Sequence, residues 1–147
     1  MSVYSLTYTL HHILLIKLIA SFPFDRVRTL HNFLFLAIVS SSPFQRPGIH
    51  YTFYKSNTGV HSFDIQGYLN DLRRGGLLQE KLLELTPKGY DFYHQVAELL
   101  RYERFPEHCM KLGLKYKDNL WRVNHEVFFH PLLRKSKTGR KIQLPGI

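Results

Sequence analysis

A helix with clear start and stop signals, at about residues 63–74, is the feature that most constrains how this chain of 147 residues can fold. Ser62 can cap the helix by accepting a hydrogen bond from a backbone N–H one turn on, and Asp64 in the first turn suits the positive end of the helix dipole. Gly75 and Gly76 supply a left-handed stop. Apolar residues recur between these signals with the spacing of one buried stripe: Ile65, Tyr68, Leu69 and Leu72.

Two short apolar runs follow this helix. Residues 77–78 and 82–86 have the composition of short strands joined across Gln79-Glu80-Lys81, and Pro87 opens another helix. A helix, a hairpin and a helix in this order indicate a winged helix-turn-helix. The alternative is an ordinary surface helix, because most surface helices are also polar on their outer side.

The flanking segments predict further helices and one strand. Residues 4–20 keep helical spacing, and the run after Asp25 becomes apolar almost all round after Asn32, which is typical of a central helix. Ile49 to Lys55 alternates as a strand does and can pair with the hairpin. A helix from Pro87 is expected to continue to Arg104 and to stop at Pro106.

The expected fold is therefore α+β and mostly helical. Its winged helix-turn-helix core, with N-terminal helices, occupies residues 1–104. Residues 105–133 are expected to form a C-terminal extension packed on that core, and residues 134–147 a basic flexible tail.

Charge is concentrated in the last third of the chain. Twenty Lys and Arg against eleven Asp and Glu give a net charge of +9. Residues 1–100 contain nine basic and seven acidic side chains, whereas residues 101–147 contain eleven and four. Such an excess favours a polyanionic partner.

Composition also predicts the compartment. Cys109 is the single cysteine, which excludes an intramolecular disulfide and favours the cytoplasm. The apolar stretch at residues 10–20 is short and is interrupted by Lys17, so no membrane segment is expected.

The segment YTFYKSNTGVHSFDIQGYLNDLRRGGLL resembles Panacea-type, SocA-related antitoxin domains, in which an aromatic strand leads to a Gly-Pro-x-Ser turn, a helix and a Gly-Leu-Leu ending. The resemblance covers about residues 25–89, and residues 85–89 resemble the common Leu-Thr-x-x-Gly. Val60 stands where the family usually has Pro, and His61 where it has Tyr. The resemblance implies a small protein that neutralises a toxin, adapts a client to a protease or regulates transcription.

Catalytic and metal-binding motifs are weak. His125 and His130 lie five residues apart, whereas two imidazoles on one helical face need a separation of four. His108 beside Cys109 lacks the context of a cysteine enzyme, and no phosphate-binding loop or nucleophile elbow is visible. The sequence thus predicts a non-enzyme without metal or cofactor.

The polar side of the predicted helix supplies the expected binding residues. Gln66, Asn70 and Arg73 fall at i, i+4 and i+7 and are expected to face the major groove of double-stranded DNA. Arg74 and Lys81 are expected to contact phosphates. Non-specific affinity is assigned to the C-terminal basic residues Arg134, Lys135, Lys137, Arg140 and Lys141.

Transcription regulation is the expected function, and the alternative is an antitoxin-like or adaptor module that binds a toxin or client protein. A homodimer is left open because no heptad pattern specifies one.

A second pattern lies between residues 115 and 129. Its basic and aromatic residues can stack on and neutralise single-stranded nucleic acid, but an equally good interpretation is the edge of a core with snorkelling Lys and Arg. The residues are Lys115, Tyr116, Lys117, Trp121, Arg122, His125, Phe128 and Phe129.

Overall fold

The computed structural model describes residues 8–45 and 49–144. Within these ranges the chain forms seven α-helices, two short 3-10 helices and a two-stranded antiparallel sheet, which confirms an α+β, mostly helical fold. The helices are α1 (Leu10–Ser21), α2 (Val27–Val39), α3 (Phe63–Arg74), α4 (Pro87–Val96), α5 (Arg104–Tyr116), α6 (Arg122–Phe128) and α7 (Pro131–Lys135). The strands are β1 (Tyr54–Ser56) and β2 (Gly59–His61), and the 3-10 helices are Pro43–Gln45 and Ala97–Leu100.

Helix α3 begins and ends where the local signals predict. The Ser62 hydroxyl accepts a hydrogen bond from the Ile65 N–H at 3.3 Å. Gly76 has a φ of +75°, which supplies the left-handed stop that follows the helix. Three of the four residues of the predicted buried stripe, Ile65, Leu69 and Leu72, are fully enclosed, whereas Tyr68 is only partly buried.

Helix α2 is the central helix of the core, as its composition predicts. Every residue from Thr29 to Ile38 is buried, and the helix packs against β2, α5 and α6. Phe33 lies 5.2 Å from Phe24, ring centre to ring centre. Helix α1 packs against α3, α4 and α5 on the other side of the core. Residues 4–7, the start of the helix expected over residues 4–20, lie outside the described residues.

The sheet differs from the prediction. The predicted strand at residues 49–55 does not pair with the hairpin at residues 77–85. Instead β1 begins at Tyr54 and pairs with β2, with Tyr54 opposite His61. Gly59 makes this tight hairpin possible because its φ of +125° is strained for any residue with a Cβ. The predicted hairpin after α3 is reduced to a single bridge between Leu78 and Leu85.

The predicted flexible tail is wrong as far as Leu144, the last residue described. Residues 139–142 run antiparallel to β1 and hydrogen-bond with its free edge, including Ile142 N–H to the Phe53 carbonyl at 2.8 Å and Lys55 N–H to the Arg140 carbonyl at 3.0 Å. Ile142 is only 2% exposed. The free edge of β1 offers unpaired backbone donors and acceptors to a passing segment. Ile142, an apolar residue next to basic ones, anchors residues 139–142 there by its burial.

The predicted stop at Pro106 is also wrong. Helix α4 already ends at Val96, and Pro106 lies in the first turn of α5, where a missing N–H leaves no helical hydrogen bond unmade. Phe105 and Cys109 of α5 are buried in the same core cluster as α1 and α2. In the described ranges no helix is long and apolar enough to cross a membrane.

Candidate nucleic-acid interface

The outward side of α3 carries four of the predicted binding residues, and two of them are occupied by other groups. Arg73 donates from its Nε to the Gln79 carbonyl at 3.1 Å, so it braces the segment that follows α3. Arg74 forms an ion pair with Asp71. Gln66 donates to the Asn70 Oδ1 at 3.0 Å on the exposed surface. Gln66 and Asn70 are therefore the predicted binding residues on the outward side of α3 that are best placed to contact a ligand.

Acidic residues on the same side reduce the attraction of α3 for a polyanion. Asp64 accepts the Thr52 N–H at 2.9 Å, and Asp71 accepts from His12 Nε2 at 2.9 Å. The hydrogen bond from His12, together with Arg74, holds the pKa of Asp71 below its ordinary value. The Asp71 carboxylate is thus charged at neutral pH and offsets the charge of Arg74.

Lys81 lies at the exposed end of the segment between the bridged residues Leu78 and Leu85. Glu80 and Glu84 flank it in the same turn and are also exposed. The tip of the predicted wing therefore has no excess of positive charge.

The C-terminal basic residues lie on an ordered surface. We call Arg134, Lys135, Lys137, Arg140 and Lys141 the C-terminal basic surface, and all five are exposed. Residues 127–147 contain no Asp or Glu. Hydrogen bonds with β1 fix the backbone of residues 139–142, and Arg134 and Lys135 lie in α7. Lys55 holds the connection between them by donating from its Nζ to the Ser136 carbonyl at 3.0 Å.

Strand β1 joins this basic surface to the start of α3. Tyr54 lies opposite Lys141 in an antiparallel bridge, which places the two side chains on the same face of the sheet. The Tyr54 ring is 5.7 Å from the ring of Phe63, the first residue of α3. The two groups of residues that the sequence assigned to DNA are thus connected through one strand.

The pattern at residues 115–129 divides between core and surface. Tyr116 is buried, so that part of the pattern belongs to the core edge. Trp121, Phe128 and Phe129 are exposed, and we call them the α6 aromatic surface. Phe128 is the last residue of α6, and Trp121 and Phe129 flank that helix, whereas Val123 and Val127 of α6 face the core.

A buried polar network below the sheet positions the hairpin and α6. Asn32 of α2 accepts the Val60 N–H at 2.9 Å and donates to the Asn124 Oδ1 at 2.8 Å and to the Thr58 carbonyl at 3.2 Å. Asn124 in turn donates to the Thr29 hydroxyl at 3.0 Å. Sequence alone does not reveal this network, since its partners are 26 to 95 residues apart.

His31, the neighbour of Asn32, is also part of the packing below the sheet. Its Nδ1 accepts the Ser62 N–H at 3.0 Å, and its ring stacks on His61 with 4.8 Å between ring centres. Burial, and then the nearby His61, lower the pKa of His31 to about 4. The imidazole is neutral at physiological pH.

Comparison of the chain with protein-family models, with curated proteins and with solved structures finds no match. Within the described residues, no three His, Cys, Asp or Glu side chains are grouped so that they could hold a metal ion.

Proposed function

We propose that this protein binds double-stranded DNA and regulates transcription, with α3 and the bridged segment after it acting as the recognition helix and wing of a winged-helix core. The observation that supports this proposal is the C-terminal basic surface. It presents five basic residues without an acidic neighbour in sequence, two at the end of α7 and the others on or just before the segment that is hydrogen-bonded to β1. Basic side chains on a fixed backbone neutralise phosphates without a further loss of backbone entropy.

The residues of this interface have different roles. Lys137, Arg140 and Lys141 contact phosphates, since all three are exposed on or just before the segment that pairs with β1, and Lys141 shares the face of Tyr54 that borders α3. Gln66 and Asn70 present amide groups that can pair with base edges. Arg73 positions the wing through its bond to the Gln79 carbonyl rather than contacting a base.

Fluorescence anisotropy with a labelled duplex, measured between about 50 and 200 mM salt, tests the phosphate contacts. Replacing Lys137, Arg140 and Lys141 together with Gln should lower the slope of log affinity against log salt by about three, because each phosphate contact contributes about one. The matched control replaces Arg104, Lys111 and Lys117 with Gln, which removes the same charge from α5 and its C-terminal end. Equal effects of the two triple variants would reduce the proposal to non-specific attraction by net charge.

A selection from random duplexes supplies the preferred site for testing base recognition. Gln66→Ala and Asn70→Ala should each cost about 1–3 kcal/mol on that site and much less on a scrambled duplex. Equal losses on both duplexes would show that α3 does not recognise sequence.

A second function, an antitoxin-like or adaptor module, is favoured by the composition of the α3 face. Phe63 is 70% exposed there and borders a shallow depression lined also by Asp64, Asp71 and Arg74. An exposed aromatic ring among balanced charges is typical of a protein-binding surface. The absence of salt-sensitive binding to any nucleic acid, with a toxin gene beside this one, would favour this function over DNA binding.

A further inference from the structure

The outer side of α6 carries large aromatic side chains at the junction of two shallow grooves. Trp121 is 64% exposed, Phe128 58% and Phe129 52%. Phe128 lies in both grooves: Phe129 and Arg134 line the first, and Arg28 and Trp121 line the second. The aromatic groups thus form one continuous surface.

These rings are exposed although α6 already has a complete apolar side. Val123 and Val127 are fully buried against the core. The aromatic residues therefore contribute little to holding α6 in place. Exposing such rings to water is unfavourable, and a contiguous exposed patch of this kind is typical of a binding site.

The rings are arranged as partners for other flat groups. The ring of Phe129 lies 4.8 Å from that of His125 and 5.2 Å from that of Phe128, and the two Phe rings are nearly perpendicular. The faces of the aromatic surface therefore point in different directions, so that bases splayed out from a single strand can each meet a different ring.

The charges around the rings select an anionic partner. Arg28, Lys55 and Arg134 line the two grooves, and Arg122 lies on α6 itself. Glu126 is the acidic residue of α6. Excess positive charge around exposed rings complements a phosphate chain that carries bases, and it offers little to an uncharged apolar surface.

Hydrogen bonds to α2 hold the helix that carries the α6 aromatic surface in a fixed position. Asn124 of α6 is bonded both to Asn32 and to the Thr29 hydroxyl of α2, and Asn32 also holds the β1–β2 turn that forms the wall of one groove. A binding surface that is already ordered loses little conformational entropy when its ligand binds.

We propose that the α6 aromatic surface binds single-stranded nucleic acid. Bases stack on Trp121, Phe128 and Phe129, and the phosphates meet Arg28, Lys55 and Arg134. Single strands are required because the faces of paired bases in a duplex are covered by their neighbours. This inference rests on the proposed nucleic-acid-binding function and extends it from duplexes to single strands.

The test uses the fluorescence of Trp121, which is the single tryptophan of the chain. Oligo-dT of about 20 nucleotides should quench this fluorescence, because a base stacked on the indole ring deactivates its excited state. Oligo-U of the same length distinguishes RNA from DNA as the natural ligand, and a blunt duplex should give much less quenching.

Variants of Phe128 separate aromatic stacking from simple apolar contact. Phe128→Leu should weaken oligo-dT binding about 5- to 150-fold, while Phe128→Tyr should retain it, since stacking needs a ring. Tyr102→Ala is the matched control, because Tyr102 is a more exposed ring beside an arginine in the turn before α5 and should have no effect. Circular dichroism and melting temperatures verify that each variant is folded.

The possible outcomes distinguish this inference from the proposed function. Salt-sensitive duplex binding without quenching by either oligonucleotide, or equal binding of the Phe128→Leu protein, would overturn the single-strand site alone. Absence of binding to duplexes and single strands at low salt would overturn both proposals.

Discussion

The buried amide of Asn32 is expected to be one of the most sensitive polar groups in the fold. The side chain is fully enclosed in α2, yet it makes three hydrogen bonds. One bond satisfies the backbone N–H of Val60, and the other two reach Asn124 and the Thr58 carbonyl. The same amide thus connects α2, the β1–β2 hairpin and α6.

The cost of Asn32→Ala can be worked from these bonds. Val60 is only 3% exposed, and its N–H would lose its acceptor, which costs about 1–3 kcal/mol. The two donated bonds add about 0.5–1.5 kcal/mol each where their acceptors are not rehydrated, and Thr58 and Asn124 lie closer to solvent. Asn32→Ala is therefore expected to lower the free energy of unfolding by about 2–4 kcal/mol. The free energy of unfolding of a typical domain is about 5–15 kcal/mol, so this loss is a large fraction of it.

Guanidinium unfolding followed by circular dichroism measures this loss. Asn124→Ala is the control, because it removes one partner of Asn32 and leaves the Val60 N–H satisfied, so about 1 kcal/mol is expected. The double variant should lose less than the sum of the two single losses by about 0.5 kcal/mol or more, since the residues are in contact. A loss below about 0.5 kcal/mol for Asn32→Ala would refute the argument that this network organises the sheet and α6.

Two further predictions concern pH and the C-terminal segment. The unfolded chain protonates His31 near pH 6.5 and the folded chain only near pH 4, so stability should fall as pH drops through this range, by up to about 3 kcal/mol. His31→Asn keeps an acceptor for the Ser62 N–H and should flatten the pH dependence measured by urea unfolding; an unchanged dependence would contradict a buried, neutral imidazole. Ile142→Ala should cost about 2–4 kcal/mol in the same assay, with exposed Gln143→Ala as the neutral control, whereas a flexible tail predicts no loss for either.

Helix α3 was predictable because all its determinants are local. A serine that bonds to the N–H three residues on, an apolar residue on each turn and a left-handed glycine lie within fifteen residues, from Ser62 to Gly76. The enclosure of α2 was predictable for a related reason, since a helix that is apolar all round has no side that favours water. Neither conclusion required knowledge of a distant partner.

Pairing of distant segments was not predictable in the same way. Basic residues dominate the sequence after Leu133, and nothing local shows that Ile142 fills the space beside β1. The candidate interface on α3 was also only partly predictable, because it too depends on contacts between distant segments. Helical spacing places Arg73 on the outer side of α3, but its bond to the Gln79 carbonyl depends on where the next segment lies. Surface position follows from periodicity, whereas the availability of a side chain depends on tertiary contacts.

The geometry of β1 makes the two proposed sites experimentally separable. Successive side chains of a strand point to opposite faces, so Tyr54 lies toward Phe63 and Lys141 while Lys55 lies toward Phe128. A duplex at α3 and a single strand at α6 would therefore approach different faces of the same strand. Lys141 lies on the face of Tyr54 and Phe128 borders the opposite face, whereas Arg140 is paired with Lys55 and lies on the same face as Lys55. Lys141→Gln and Phe128→Leu are therefore the two changes that separate the proposals, because each alters contacts on one face of the strand.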